Sequence, residues 1–259
     1  MKRVAWITGG LLVLLAGCGG GAGKSEHPFP PISQVGMNLT IDDLVARPDG
    51  AVRAETYLKE IEAAGYRKSV RFPYDRYWGP ELSKWLPDLL RRHGFKAIVI
   101  LSPGKHVDGV VDIEADKKWL NISLPTIADL LEGVQFANEP WNSVGHGDNY
   151  IFPPVDFVDW HNALLPIVKT IIPNVPILDG DIGGGSGQDW WEQVVQLDIK
   201  GVDVVSEHLY GHSMTEVDRP VWITEAGSLS DCYPGIPCWL YTWNEKSQWA
   251  KRPGGGILP

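Results

Sequence analysis

The chain has 259 residues, with 23 basic and 32 acidic side chains and a formal charge of −9. Apolar residues make up 44% and charged residues 21%, which excludes an intrinsically disordered chain and leaves enough length for a full core. Acidity without a Lys/Arg cluster excludes a nucleic-acid partner, because phosphate binding needs clustered positive charge. Nothing in the composition asks for a partner subunit, so a monomer is expected. The outlier is tryptophan, at 12 residues. Indole offers a broad apolar face with one donor, suited both to core filling and to stacking on sugar rings.

In chain order, Lys2 and Arg3 form a charged start and Ala5 to Ala16 an apolar run too short to span a bilayer. That run has the size of a signal-peptide core. It ends in Leu15-Ala16-Gly17-Cys18, which resembles the bacterial lipoprotein cleavage box. The resemblance implies a signal peptide over 1–17, a lipidated Cys18 as the new N-terminus, and a protein anchored to a cell-envelope membrane. Residues 18–34 are rich in Gly and Pro and read as a tether. Residues 35–259 form the expected domain. Two further cysteines, Cys232 and Cys238, would see oxidising conditions after export, so a small disulfide-closed loop is expected.

From Val35 onward short apolar runs alternate with amphipathic stretches. Strands are expected at Val35 to Leu39, Lys68 to Phe72, Phe95 to Leu101 and Val134 to Ala137. Four more are expected at Val175 to Leu178, Val202 to Ser206, Val221 to Thr224 and Trp239 to Trp243. Helical spacing marks Ala54 to Ala64, Glu81 to His93, Leu124 to Leu131, Val155 to Ile171 and Trp190 to Leu197. Eight strands separated by helical patterns predict an α/β fold, a compact (β/α)8 barrel with short final helices. A doubly wound sheet lacks support, because no G-x-G-x-x-G follows the first strand. The Gly-rich run 183–187 lacks the ending of a phosphate loop and reads as a flexible loop on the active face.

Catalytic groups of such barrels stand at the C-terminal ends of strands. Those ends supply Arg71, Asn138-Glu139-Pro140, His208, Tyr210, Glu225 and Trp243. Two carboxylates on separated strands within a wall of aromatics are what glycosidic cleavage requires. Strand alternation pairs Ala137 with Glu139, Ile223 with Glu225, and His208 with Tyr210. The same alternation puts Glu207 toward the helix layer or solvent and Trp222 between strand and helices. Trp190 or Trp191 is expected in the core, and Trp78, Trp141 and Trp239 are candidate sugar platforms.

Phe136-Ala137-Asn138-Glu139-Pro140-Trp141 and Trp222-Ile223-Thr224-Glu225-Ala226-Gly227 resemble the fourth- and seventh-strand motifs of clan A glycoside hydrolases. The resemblance covers nearly all of residues 35 to 244. It implies a retaining glycosidase with Glu139 as acid/base, Glu225 as nucleophile and Asn138 on the sugar 2-hydroxyl. His208-Leu209-Tyr210 is similar to the sixth-strand His-x-Tyr of glycoside hydrolase family 5, whose Tyr hydrogen-bonds the nucleophile. Arg71 matches a second-strand Arg that contacts the nucleophile, and Trp243 an eighth-strand Trp that floors the sugar site.

Family 5 has a His after its third strand, where this chain has Leu101-Ser102-Pro103 and a more distant His106. A family 39-like or other compact member of the clan fits equally. The expected substrate is a β-linked oligo- or polysaccharide, cut in an endo fashion, with no metal or organic cofactor. A transglycosylase, or a non-catalytic carbohydrate-binding lipoprotein on the same barrel, are the competing readings.

Overall fold

The computed structural model describes residues 35–39, 44–45, 47–103, 111–141, 152–179, 184–209, 220–226 and 240–242. Cys18 and its tether, His106, Tyr210, Cys232, Cys238, Trp239 and Trp243 lie outside the described residues.

Apolar and β-branched runs form strands β1 (Val35–Asn38), β2 (Ser69–Pro73), β3 (Lys96–Leu101) and β4 (Leu131–Phe136). The second half adds β5 (Ile177–Leu178), β6 (Val205–Leu209), β7 (Val221–Ala226) and β8 (Leu240–Thr242). They make one eight-stranded sheet in the order β5-β4-β3-β2-β1-β8-β7-β6. A parallel bridge between Leu178 and Val204 joins its two edges. The chain is thus an α/β protein of the (β/α)8 barrel class. One strand departs from the expectation. β8 runs antiparallel to both β1 and β7, with Leu240 opposite Met37 and Thr242 opposite Val35. The chain therefore travels along β8, over Leu240–Thr242, away from the rim where β1 and β7 end.

Helices α1 (Gly50–Ala63), α2 (Gly79–Leu82), α3 (Leu86–His93), α4 (Ile113–Ser123), α5 (Pro154–Ile171) and α6 (Gly184–Gln196) complete the described elements. α1 buries Ala54, Leu58 and Ile61, one face at helical spacing. The expected helix over 81–93 is two pieces, because Pro87 has no N–H to donate and is tolerated only in a first turn. α3 ends at Gly94, whose φ of 69° suits glycine. The helix expected at 124–131 is displaced: α4 precedes it, two 3-10 turns cover Leu124–Thr126 and Ala128–Leu130, and Leu131 already opens β4. The Gly-rich run is not a loop over its length, since residues 184–187 begin α6.

The core has two compartments. Outside the barrel wall, Phe72, Ala97, Val99 and Leu101 pack with Leu86, Leu89 and Leu90 from α3 and Leu58 from α1. Inside it, Ile98, Leu178, Val204 and Trp222 form a separate cluster. Trp222 therefore faces inward, correcting the expectation from simple alternation. The cause is register. Pairing between β6 and β7 steps from Glu207–Ile223 to His208–Glu225, so β7 carries one extra residue. The alternation that would link positions 223 and 225 is broken there. Glu207, expected toward helices or solvent, is fully buried, and Trp190 and Trp191 are both buried.

Candidate active site

β2 supplies Arg71, which is 2% exposed inside the barrel. Its Nε donates to Gln135 Oε1 at 2.8 Å and one terminal nitrogen donates to Asn38 Oδ1 at 3.2 Å. The other terminal nitrogen donates to Asn138 Oδ1. Three neutral amide oxygens thus accept from the guanidinium. Asn38 also donates through Nδ2 to the Thr224 carbonyl at 3.3 Å. This ties β1 to the bulged residue of β7. Arg71 carries only donors, so the Asn138 oxygen must face it and the Asn138 NH2 points elsewhere.

Immediately after β4 the chain leaves extended geometry. Ala137 has φ 59° and Glu139 has φ 45°, both in the left-handed region that non-glycine residues visit at a cost of about 1–3 kcal/mol each. Glu139 is thus aimed by a turn, not by the strand alternation expected with Ala137. Two bonds hold that turn: Ala137 N–H donates to the Leu101 carbonyl at 2.6 Å, and Gln135 Nε2 donates to the Ala137 carbonyl at 3.0 Å.

The Glu139 side chain is 16% exposed, and its Oε1 lies 2.8 Å from Nδ1 of His208, which is buried on β6. A carboxylate here accepts a hydrogen bond from Nδ1–H at Oε1, and a carboxylic acid whose proton sits on Oε2 accepts the same bond. The contact therefore survives both protonation states of Glu139 with one imidazole tautomer, and the acid proton stays free for transfer. Residue 225 pairs in the sheet with His208. At the end of β5, Asp179 accepts from Ser206 N–H at 2.9 Å and from its hydroxyl at 3.2 Å, which anchors β6 two residues before His208.

Arg71, Asn138, Glu139 and His208 are thus brought together, and position 225 is level with them. Trp141 is partly buried against the core, and its Nε1 meets no acceptor among the described residues. Trp78 is likewise partly buried. Sequence reading passed over Asn38 and Gln135. The signal that could have found them is a polar residue in phase with Arg71 or Ile98 near a strand end. Among the described residues no three His, Cys, Asp or Glu side chains gather as a metal site.

The chain is similar to a family 39 β-xylosidase from Caulobacter crescentus, with TM-score 0.53 and 14% identity over 78% of this chain and 55% of that one. A family 39 enzyme from Xanthomonas axonopodis pv. citri matches with TM-score 0.49 and 15% identity, over 72% of this chain and 42% of that one. A family 5 enzyme from Streptomyces cattleya in complex with Manβ1-4GlcNAc matches with TM-score 0.49 and 15% identity, over 68% and 51%. The chain spans about half the length of these structures. At such identity the first likeness is one of fold alone, the (β/α)8 barrel. No family profile and no curated protein matches the sequence.

Proposed function

We propose that the chain is a retaining glycoside hydrolase that cleaves β-linked bonds within an oligo- or polysaccharide, with Glu139 as acid/base and Glu225 as nucleophile. The observation that carries this reading is that both positions adjoin His208. Glu139 does so through a 2.8 Å side-chain contact and residue 225 through sheet register.

In the first step Glu139 protonates the leaving glycosidic oxygen while Glu225 attacks the anomeric carbon. In the second, Glu139 takes a proton from water, which releases the sugar from Glu225. His208 keeps its contact with Glu139 through both steps. The positive charge of Arg71 supports an ionised Glu225, and Tyr210 adds a hydrogen bond. Asn138, its oxygen committed to Arg71, offers its NH2 to the sugar 2-hydroxyl, and Trp141 offers an apolar face. The proposal extends to location: a lipid on Cys18 holds the enzyme to a cell-envelope membrane, and a Cys232–Cys238 disulfide shapes the segment after Glu225. Support for these two points is the sequence pattern alone.

Glu225→Gln removes the covalent route, so hydrolysis should fall by several orders of magnitude with folding intact. Glu139→Ala should spare activated aryl β-glycosides in the first step, and azide should speed breakdown and yield a β-glycosyl azide. Retention also needs the carboxyl groups about 5–5.5 Å apart. Equal losses on activated substrates, with no azide product, would overturn the assignment of roles.

A further inference from the structure

We infer that Gln135 is a positioning residue of this site, one that aims Glu139 by holding both Arg71 and the left-handed turn that follows β4. The inference rests on the proposed function for its activity readout and on geometry for everything else.

Gln135 is fully buried inside the barrel. Its oxygen accepts from Arg71 Nε at 2.8 Å, and its nitrogen donates to the Ala137 carbonyl at 3.0 Å. The orientation of this amide is determined by its partners, because guanidinium has no acceptor and a carbonyl no donor. Both contacts demand the same end-to-end placement. Arg71 in turn grips Asn138, the residue between the two left-handed positions 137 and 139. Gln135 therefore closes a ring that runs from its own amide through Arg71 and Asn138 back to the Ala137 carbonyl. Strained left-handed backbone persists only where surroundings over-determine it. This ring is what over-determines residues 137 to 139.

Only a primary amide can complete that ring. A carboxylate at 135 keeps the acceptor, loses the donor, and sets a negative charge against Arg71. A thioether of similar shape loses both contacts. Among the described residues, the charged or titratable groups near the ring are Arg71 from β2, Glu139 after β4, Asp179 at the end of β5 and His208 on β6, with residue 225 in register with His208. A negative charge placed on Arg71 is felt by the nucleophile it supports.

The test uses the full chain with Gln135→Met and Gln135→Glu, assayed on dinitrophenyl β-glycosides and solved as crystal structures. Gln135→Met should lower kcat by about 100-fold, because a small misplacement of a catalytic group costs about that much, and KM should fall with it, because these activated substrates need little acid in the first step and the glycosyl-enzyme accumulates. Its structure should show residue 137 or 139 leaving positive φ. Gln135→Glu should raise the acidic limb of the kcat/KM profile by about one pH unit, an effect that loss of packing alone does not produce. Wild-type kcat in Gln135→Met, or an unchanged turn and Arg71–Asn138 contact, would overturn the inference. If the wild type cleaves no aryl β-glycoside, the functional reading fails, and the backbone angles still decide this one. Should both variants fail to fold, hydrogen exchange of the wild-type Gln135 side-chain amide decides: slow exchange supports the ring and free exchange ends it.

Discussion

Trp222 on β7 occupies the space that Gly133 on β4 leaves open across the barrel. A Cβ on residue 133 would lie 3.4 Å from the Trp222 ring, 3.1 Å from Leu178 and 3.2 Å from Ile98. The largest side chain meets the smallest, and the interior is filled by that pairing. Gly133→Ala should destabilise the fold by about 1–3 kcal/mol through overpacking, and Gly133→Val by more. Trp222→Ala should cost about 3–5 kcal/mol through the cavity it leaves. Urea unfolding of the single and double variants checks both values, and the double variant should cost less than the sum of the two.

Asp116 on α4 is a buried junction. It accepts from Arg76 Nε at 2.7 Å and from Trp160 Nε1 at 2.9 Å, joining the turn after β2 to α5. Arg76 keeps 28% of its side chain exposed, so part of its charge stays solvated when the partner is lost. Asp116→Ala should therefore cost about 2–3 kcal/mol, near or below the usual range for a broken buried pair. Asp116→Asn, which keeps one acceptor, should cost less. Thermal melts of the two variants at neutral pH give the comparison.

His161 on α5 should make stability pH-dependent. It is fully buried, its ring centroid lies 4.2 Å from that of Phe136 at a tilt of 41°, and one ring nitrogen lies 2.8 Å from the Lys200 carbonyl. Burial pushes its pKa down from 6.5 to about 4, with the Lys200 bond opposing. Its Nε2 must carry the proton to donate to that carbonyl, and Nδ1 faces no partner among the described residues. Between pH 6.5 and 4 the unfolded chain binds more protons here than the folded one. The contribution is complete above the unfolded value and is lost as pH falls toward 4, up to about 3 kcal/mol in all. His161→Gln should flatten that slope. Guanidinium titrations at pH 7.5 and 4.5 measure it, and equal slopes in both proteins would refute the assignment.

Much of this architecture was legible in the sequence for a physical reason. Runs such as Ala97 to Leu101 suit only a strand buried on both faces, and Asn138-Glu139-Pro140 announces a strand end. What alternation could not reveal is where it breaks. The extra residue in β7 exists only relative to β6, so no local pattern shows that Trp222 faces inward. Glu139 escapes alternation for another reason: its direction is set by positive backbone angles held from a distance by Arg71 and Gln135. Gln135 reads as an ordinary strand polar residue until its two partners are known. The reversal of β8 is likewise a matter of how the chain returns, which three residues do not encode.

Cys18 carries a prediction of its own. Thioether formation requires the thiol, so Cys18→Ser should leave the protein unprocessed and without lipid. Fractionation with mass measurement of the N-terminus checks this, and equal processing and membrane retention of the variant would refute the lipoprotein reading.

The ring of strands is joined between β5 and β6 by the Leu178–Val204 bridge and the Asp179–Ser206 contacts. A closed sheet with one two-residue strand behaves as a hoop with a clasp. Fluctuations that open it should begin at residues 177–179 and 204–206, where the fewest ladder bonds must break together. Amide exchange should therefore be faster at those positions than in β2 and β3 despite equal burial. Asp179→Ala, which removes the carboxylate from the clasp, should raise susceptibility to proteolysis at this seam more than it lowers the melting temperature. Since β6 carries His208 beside Glu139, the same clasp sets how long the barrel keeps these two side chains in contact between openings.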